Sequence, residues 1–428
     1  MKRKLLSLFV ILCLAVTSVT GTAFAGSSVS YKKAMDKTQS YITENLKEPT
    51  IDNGDWMVMG LARNGVSPGN ALLKAYYSNA VKKLKTQKGE LHPVKYTDYS
   101  RTILVFTALG KDPSNAGGYN LLKRLADFNK VKKQGINGPI WALIALDSGN
   151  YKIPTVKGVL VQTTRDMLID YILDAQLEDG GFALSGEKAD PDMTGMALQA
   201  LAKYYKDKNY PKVTEAVDKA LDCITYMQKT DGGFASWGTD NSESICQIIV
   251  ALTALRINPE KDERFIRNGN STIDALLDYY VPGGGFKHTV SGKRNGMATE
   301  QAYYALTAYQ RLLDGKNALY DMTDTKKPLA KPAKPTITSL KSTKTKTMTV
   351  KWKNNSKVSK GYQICYAANG KFTGSKAVTV TSAKASAKTI KSLKKGKTYY
   401  VKVRAYRTDR DGSRLYGNYS AVKKVKVK

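Results

Sequence analysis

A short turn motif recurs in the middle of this 428-residue chain at a constant interval. The segments QLEDGGF, QKTDGGF and VPGGGF end at Phe182, Phe234 and Phe286, so each interval is 52 residues. A fixed period of this size is typical of stacked supersecondary units that bury their apolar faces on one another. The paired glycines permit positive φ, and Asp179 and Asp231 are predicted to accept local backbone amides. The repeat therefore restricts the chain to an architecture built by stacking.

Each turn leads into a segment that is apolar on nearly all sides, and matching segments occur upstream. A helix that is apolar all round is buried all round. Six buried helices are predicted, and they begin near Asp55, Asp98, Asn137, Asp192, Ser242 and Ala298. Six amphipathic helices are predicted between them, at 34–46, 72–85, 119–131, 163–176, 213–229 and 271–280. This alternation predicts two concentric rings, an all-α α6/α6 toroid over residues 26–315.

The Q-x-x-D-G-G-F turns resemble the repeat shared by squalene-type terpenoid cyclases and protein prenyltransferase β subunits. The same toroid occurs in extracellular vitamin-B12 carriers of the intrinsic-factor type and in complement thioester domains. The resemblance covers roughly residues 30–315 and implies the toroidal fold. It does not imply one activity, because this fold carries several functions.

The C-terminal region has the alternating pattern of β strands. MTVKWKN places Trp352 on an early strand, and GYQICYA alternates over residues 361–367. LKKGKTYYVKVRAY resembles the L-x-P-x-T-x-Y-x-V-x-V-x-A corner of fibronectin type III domains, with Lys395 in place of the proline. This resemblance implies an all-β sandwich over residues 336–428, with Tyr399 as the tyrosine of the corner. The predicted fold class is therefore multidomain.

Residues 1–25 have the pattern of a secretory signal peptide. Basic residues Lys2–Lys4 precede an apolar core at Leu5–Val16, and Ala-Phe-Ala precedes the predicted cleavage site before Gly26. Such segments are removed on export. The predicted localisation is secreted or extracellular, with association to the cell surface, as in exported bacterial surface proteins.

The net charge of +32 is concentrated at the C-terminal end. Residues 326–428 contain 28 Lys and Arg against 2 acidic residues, a net charge of +26, whereas residues 26–325 carry only +3. Residues 316–335, rich in Pro and Lys, are predicted to form an extended linker. Outside a cell, this charge predicts an anionic cell-envelope polymer as partner. No specific nucleic-acid partner is predicted, because no groove motif with interleaved aromatic residues occurs.

No cofactor and no metal site are predicted. Three cysteines remain after cleavage, Cys223, Cys246 and Cys365, too few for a disulfide framework. They are interpreted as small buried hydrophobic residues, with pairing of Cys223 and Cys246 left open. Prenyltransferases hold zinc with Asp, Cys and His. Here Cys246 and His288 lack the expected acid, since Ser244 occupies its position.

The segment DPDMT carries the acids that bear on catalysis. Class II terpene cyclases protonate an alkene with the central Asp of a D-x-D-D motif, and Asp190 and Asp192 match its first two acids. Met193 replaces the third acid. The resemblance implies Asp192 as general acid and Asp190 as its neighbour. The alternatives are that Asp192 caps a helix while Asp190 stiffens the loop before Pro191, or that the acids contact a ligand.

Parallel inner helices would bring their N-termini to one mouth, with free amides and positive dipole ends. A concave mouth with aromatic walls and a few polar groups is the default ligand site of a fold. The predicted ligand-binding residues at this mouth are Trp56, Tyr99, Trp141, Trp237, Gln247, Glu300 and Tyr303, with Tyr304 beside them.

These features favour an exported, non-catalytic protein. Its toroid would bind a small or extended ligand at the mouth, and its basic module would attach it to the envelope. The incomplete acid motif and the single toroid favour this hypothesis over an isoprenoid-processing enzyme of class II cyclase type that uses Asp192. A third hypothesis is adhesion through the β-sandwich, with the toroid as a spacer.

Overall fold

A computed structural model of the protein describes residues 29–428, so the predicted signal peptide lies outside the described residues. Helices occupy the chain from Tyr31 to Leu313, and the strands of a β-sandwich occupy it from Thr336 to Lys426. The predicted layout, a helical domain followed by a β-sandwich, is confirmed. Within residues 29–428, no helix has both the length and the apolar character needed to cross a membrane.

Six inner helices form a closed cycle. They are α2 (Asp55–Arg63), α4 (Thr97–Ala108), α6 (Asn137–Ser148), α8 (Pro191–Leu201), α10 (Ser242–Ala254) and α12 (Gly296–Leu313). Each helix packs on the next in this series, and α12 packs on α2. α10 is buried from Ser242 to Thr253, as its apolar sequence predicts.

Six further helices pack on the outside of this cycle. They are α1 (Tyr31–Asn45), α3 (Ala71–Thr86), α5 (Phe128–Val131), α7 (Arg165–Leu173), α9 (Pro211–Met227) and α11 (Thr272–Leu277). The helix predicted at 119–131 is wrong in extent, since 3₁₀ turns occupy Leu121–Ala126 and only α5 is α-helical. The continuous helix is interrupted because residues 126–128 pair with 161–163, and Asp127 caps α5 instead.

The Q-x-x-D-G-G-F turn joins each repeat to the next. The side-chain amide of Gln228 donates to the carbonyl of Gly232 at 3.0 Å and to that of Phe265, in the following repeat, at 2.9 Å. Asp231 accepts a backbone amide two residues ahead, as predicted. Gly232 has φ +85°, and a Cβ there would lie 2.9 Å from the Ser271 carbonyl oxygen. The corresponding residues of the preceding turn, Gln176, Asp179 and Gly180, make the same contacts.

The phenylalanine that ends each turn connects it to the inner helix. Phe182, Phe234 and Phe286 are buried in the helical core. The hydroxyl of Thr194 in α8 accepts the Phe182 amide at 2.9 Å, and that of Thr299 in α12 accepts the Phe286 amide at 3.0 Å. The turns therefore hold the N-terminal ends of these inner helices in place.

The helical domain extends beyond its predicted end at residue 315. Residues 317–325 cover the C-terminal ends of the inner helices, within the segment predicted as a linker. Arg63 at the end of α2 and Arg311 near the end of α12 both form ion pairs with Asp324. Both arginines also donate to carbonyl oxygens of this segment.

Eight strands form the sandwich. They are β7 (Thr336–Lys341), β8 (Met348–Lys353), β9 (Gly361–Ala367), β10 (Lys376–Val380), β11 (Ala387–Ile390), β12 (Thr398–Thr408), β13 (Arg414–Tyr416) and β14 (Lys423–Lys426). One sheet has the order β11-β8-β7, and the other has the order β10-β9-β12, with β13 and β14 both paired to the long strand β12. All pairs are antiparallel. Two-residue strands also form three short hairpins in the helical domain, β1–β2 (Ala235–Ser236, Thr239–Asp240), β3–β4 (Ile266–Arg267, Asn270–Ser271) and β5–β6 (Phe286–Lys287, Arg294–Asn295).

The sandwich has its own core. Trp352 is buried and its ring lies 5.1 Å from that of Tyr362 on the facing sheet. The hydroxyl of Tyr399 accepts the backbone amide of Lys394 at 3.2 Å, the loop-anchoring contact predicted for the tyrosine of the corner.

Lys111 of the helical domain contacts the sandwich. Lys111 lies just after the C-terminal end of α4, and its ammonium group contacts Asp409 at 2.6 Å and Asp411 at 2.9 Å. It also lies 4.8 Å from the centre of the Tyr77 ring. The lysine is mostly buried, so this contact is shielded from solvent.

We expect Gln228→Ala to lower the free energy of unfolding by about 2 kcal/mol, because it leaves buried carbonyl groups without their donor. Chemical denaturation measures this change. The matched control is Tyr226→Ala, two residues earlier at the end of α9, since Tyr226 is 93% exposed. Equal effects of the two substitutions would contradict a linking role for Gln228.

Candidate functional site

The N-terminal ends of three inner helices surround a pocket of about 360 Å³. α8, α10 and α12 contribute to it, together with the β1–β2 hairpin that precedes α10. The lining residues are Asp192, Met196, Ser236, Trp237, Thr239, Asn241, Glu243, Gln247, His288, Met297 and Gln301. These residues define the mouth pocket. Three of the predicted site residues lie in it: Asp192, Trp237 and Gln247.

The two predicted acids take different positions at the start of α8. Asp190 is the N-cap of α8, and its carboxylate accepts the Met193 amide at 2.9 Å. Pro191 follows as the first helical residue, which suits its fixed φ. The prediction that Asp192 caps this helix is therefore wrong, because the cap lies two residues earlier. In α10 and α12 the caps are Asn241 and Asn295, also one or more residues before the predicted starts.

Asp192 is in the first turn of α8, and its side chain lines the mouth pocket. Its Oδ1 atom is buried and has no hydrogen-bond partner among the described residues. Burial raises the pKa of Asp192 above the usual range, and the nearby carboxylates of Asp190 and Glu243 add to the rise. The hydroxyl groups of Ser244 and Ser236 oppose it, although neither makes a hydrogen bond of ordinary geometry.

Glu243 occupies the same position in α10 that Asp192 occupies in α8. It is only 6% exposed. Its Oε2 atom lies 2.9 Å from Nδ1 of His288 and accepts the Ser242 hydroxyl at 3.1 Å. Its Oε1 atom is buried and has no partner among residues 29–428. Ser236, 7% exposed, also has an unpartnered hydroxyl in this pocket.

The mouth pocket is therefore rich in hydrogen-bond acceptors. Eight of its eleven lining residues are polar, and none is Lys or Arg. Buried polar atoms are usually hydrogen-bonded in proteins, and three oxygen atoms around this pocket, on Asp192, Glu243 and Ser236, have no partner among the described residues. At its rim, Trp237 is 83% exposed and Met297 is also exposed. An indole face so placed suits a cation or an apolar part of a ligand.

Gln247 connects the mouth pocket to the axis of the helical cycle. Its side-chain amide donates to Gln301 Oε1 at 2.8 Å and to the Tyr304 hydroxyl at 3.0 Å. Its own Oε1 accepts the side-chain amide of Gln199 at 2.9 Å. Gln247 is thus held by neighbours on both sides of α10.

Aromatic side chains occupy the axis of the helical cycle. The ring of Trp56 lies 5.0 Å from that of Trp141 and 5.9 Å from that of Tyr304. Tyr320, from the segment that covers the C-terminal ends, lies 5.8 Å from Trp141. The predicted ligand residues Trp56 and Trp141 therefore pack on one another, and neither lines the mouth pocket.

Two other predicted ligand residues make contacts elsewhere. Tyr99 is fully buried, and its hydroxyl accepts the Leu91 amide at 3.0 Å. Tyr303 is fully buried and donates to Gln39 of α1 at 2.8 Å. Both support loops or outer helices.

Glu300 lies in the first part of α12, close enough to Asp55 and Arg101 for their charges to act on it. Arg101 contacts Asp55 at 3.0 Å and Asp98 at 3.2 Å. Burial raises the pKa of Glu300 to about 7, and the charge of Asp55 adds to this effect while Arg101 opposes it. Glu300 therefore titrates near neutral pH, but it does not line the mouth pocket.

Within the described part of the chain, no group of His, Cys, Asp and Glu has the arrangement of a metal site. Cys223, Cys246 and Cys365 are buried and free. Burial raises the pKa of Cys223 to about 11, and it also raises that of Cys246. These properties agree with their interpretation as small buried side chains.

Sequence reasoning missed Glu243, Ser236 and Gln301, and it considered His288 only as a zinc ligand. Glu243 could have been found from the sequence, because aligning α8 and α10 by their N-caps, Asp190 and Asn241, places Glu243 at the same helical position as Asp192. Ser236 could not have been found in this way, since a strand of two residues shows no periodic pattern in the sequence.

Comparison with known proteins identifies the C-terminal module. Residues 331–415 match the family model of the Fibronectin type III domain. Among solved structures, the chain is similar to the FN1–FN3 domains of chicken CNTN1, with 26% identity, 24% of this chain and 34% of that chain covered, and a TM-score of 0.20. It is also similar to the fn3 domain of human contactin 1, with 24% identity, 24% of this chain and 82% of that chain covered, and a TM-score of 0.20.

A second comparison concerns a terpenoid enzyme. Over 148 residues, the chain is 26% identical to Drimenyl diphosphate synthase of Streptomyces showdoensis. The match covers 34% of this chain and 27% of the length of that synthase. The protein thus combines a Fibronectin type III module with a helical region that has weak similarity to a terpene synthase.

We expect Asp190→Ala to lower the free energy of unfolding by about 1 kcal/mol, through loss of the α8 cap. Asp192→Asn should leave stability unchanged or raise it, because it removes a negative charge whose Oδ1 atom is buried without a partner. Thermal and denaturant unfolding of both variants measure the difference. A greater loss for Asp192→Asn would show that the cap assignment is wrong.

Glu300 should make stability depend on pH. Its folded-state pKa of about 7 is above the ordinary value, so the stability from its protonated form is complete below about pH 4 and is lost as pH rises through 7. Glu300→Gln should remove this loss and raise the free energy of unfolding at pH 8 by up to about 3 kcal/mol. Unfolding curves from pH 5 to pH 8 provide the test, with exposed Glu44→Gln as control. Parallel curves for wild type and Glu300→Gln would contradict the assignment.

Proposed function

We propose that the helical domain is a ligand-binding α6/α6 toroid whose mouth pocket holds a small molecule with hydrogen-bond donors, and that it catalyses no reaction. The observation that carries this proposal is the set of buried oxygen atoms without partners on Asp192, Glu243 and Ser236. Leaving such an atom unpaired costs about 1–3 kcal/mol, so a bound donor group would recover this energy. A protonated amine fits best, because it supplies several donors and matches two carboxylates with no neighbouring Lys or Arg.

The proposed setting is outside the cell, at the envelope. A Fibronectin type III domain at residues 331–415 is typical of extracellular and surface proteins. The predicted signal peptide at residues 1–25 supports export. The net charge of +26 on residues 326–428 supports attachment to an anionic envelope polymer.

The second candidate is an isoprenoid-processing enzyme that resembles class II terpene cyclases. The weak similarity to Drimenyl diphosphate synthase supports it, as does the raised pKa of Asp192, which would be the general acid. Such a reaction needs an apolar cavity that encloses the substrate and excludes water. The axis of the helical cycle holds the packed rings of Trp56, Trp141, Tyr304 and Tyr320 instead. We therefore favour binding over catalysis.

Titration of residues 26–428 with 1,5-diaminopentane, monitored by calorimetry, tests the ligand proposal. We expect Asp192→Asn and Glu243→Gln each to weaken binding by about tenfold, equivalent to about 1.4 kcal/mol, because each removes a charged acceptor. The control is Glu263→Gln, an exposed acid outside the mouth pocket, which should bind like wild type.

The same variants separate the two candidate functions. Pentane-1,5-diol and glutarate test whether the positive charge is required, and incubation with polyprenyl diphosphates followed by mass spectrometry tests for catalysis. A cyclised product made by wild type and not by Asp192→Asn would establish the enzyme and reject the binding proposal. Diamine binding that is equal in wild type and both mouth variants would place the ligand site elsewhere.

A further inference from the structure

A large cleft separates α3 from the sandwich. Its volume is about 1450 Å³, and it opens to solvent along α3 and the edge formed by β13. Seven basic residues line it against three acidic ones. The basic residues are Lys74, Lys82, Lys85, Lys111, Lys331, Arg404 and Arg414. The cleft therefore carries a positive charge to which both domains contribute.

One wall of the cleft is a single face of α3. Lys74, Lys82 and Lys85 are spaced so that they lie on the same side of the helix, with the small residue Ser78 between Lys74 and Lys82. All three lysines are exposed, and none forms an ion pair with a residue that the structure describes. The opposite face of α3 buries its apolar residues in the helical domain. These three charges are thus available to a partner.

The acids of the cleft are already engaged. Asp409 and Asp411 are the two acidic residues of the segment 326–428, and both contact Lys111. Asp112 accepts the backbone amide and the hydroxyl of Ser114. The ion pairs with Lys111 hold the sandwich against the helical domain, and the seven basic and three acidic residues of the cleft leave it a formal net charge of +4.

The positive surface continues from the cleft onto the outer face of the larger sheet. Lys402 and Arg404 alternate along β12, and on the neighbouring strand β14 Lys424 pairs with Tyr400 and Lys426 pairs with Thr398, which belong to the same alternating set. Alternate residues of a strand share a face, as do directly paired residues of neighbouring strands, so these four cations lie on one face of the sheet.

The aromatic rings of the cleft are covered by cations. Lys111 lies over the ring of Tyr77, and Arg404 lies 3.8 Å from the centre of the Tyr416 ring. Sugar rings and nucleic-acid bases are commonly bound by stacking on free aromatic faces. Here recognition would depend on charge, which favours a flexible phosphodiester chain over a carboxylated polysaccharide or a single-stranded nucleic acid.

We propose that this cleft binds a poly(alkyl phosphodiester) of the cell envelope between α3 and the sandwich. The proposal rests on the envelope attachment proposed above and adds a site, because it makes the helical domain part of the attachment. Attachment by the basic module alone would not require α3.

The test is binding of residues 26–428 to immobilised poly(glycerol phosphate) over a range of salt concentrations. We expect the double variant Lys82→Glu/Lys85→Glu to bind about tenfold more weakly at physiological salt and to show a shallower salt dependence. The matched control is Lys208→Glu/Lys212→Glu, which changes the net charge equally at exposed positions on the helical domain outside the cleft. Lys331→Glu, on the sandwich side, should also weaken binding. Melting temperatures establish that each variant is folded.

The outcomes separate this site from attachment in general. Equal loss in the cleft and control pairs would overturn the site while leaving envelope attachment intact. Failure of wild type to bind any polyanion would reject attachment itself. Tighter, cleft-dependent binding of polygalacturonate or single-stranded DNA would overturn the assignment of the phosphodiester class.

Discussion

One carboxamide connects each Q-x-x-D-G-G-F turn to the repeat that follows it. Because the side chain of Gln228 bonds carbonyl groups on both sides, it fixes the spacing between two successive helix pairs. The turn also determines where the next inner helix begins, through its buried Phe and the hydroxyl of a Thr one turn into α8 or α12. The mouth pocket exists because three such helix ends are held side by side. Packing of the helical cycle and formation of the candidate site thus depend on the same contacts.

The mouth pocket contains buried acidic side chains that the surrounding fold does not need. Capping of α8 and α10 does not require Asp192 or Glu243, because Asp190 and Asn241 already accept backbone amides in the first turns of these helices. The two additional carboxylates are nevertheless placed next to each other with buried oxygen atoms unpaired. Native proteins retain such costs mainly at functional positions. The energetic argument for a ligand is therefore independent of any similarity to other proteins.

The sequence was informative where periodicity and turn chemistry act together. The three glycine-rich turns, the apolar inner segments and the corner around Tyr399 were sufficient to predict the helical domain and the sandwich. The helix at 119–131 could not be predicted, because its interruption depends on pairing with residues 161–163, which are distant in the chain. The positions of Trp56 and Trp141 could not be predicted for a similar reason. Helical position alone does not show that Trp56 and Trp141 meet across the axis, or that Tyr320 packs against both of them from a segment predicted to be a linker.

The pairing of Lys111 with Asp409 and Asp411 has a consequence for the whole molecule. It places the strongly basic sandwich beside the C-terminal ends of the inner helices, while Asp55, Asp192, Glu243 and Glu300 gather near their N-terminal ends. The chain is therefore a permanent electric dipole with its positive end at the sandwich. In the field of a negatively charged surface it would rotate during approach, before any contact forms. The protein would arrive with the sandwich leading and the mouth facing the surrounding medium.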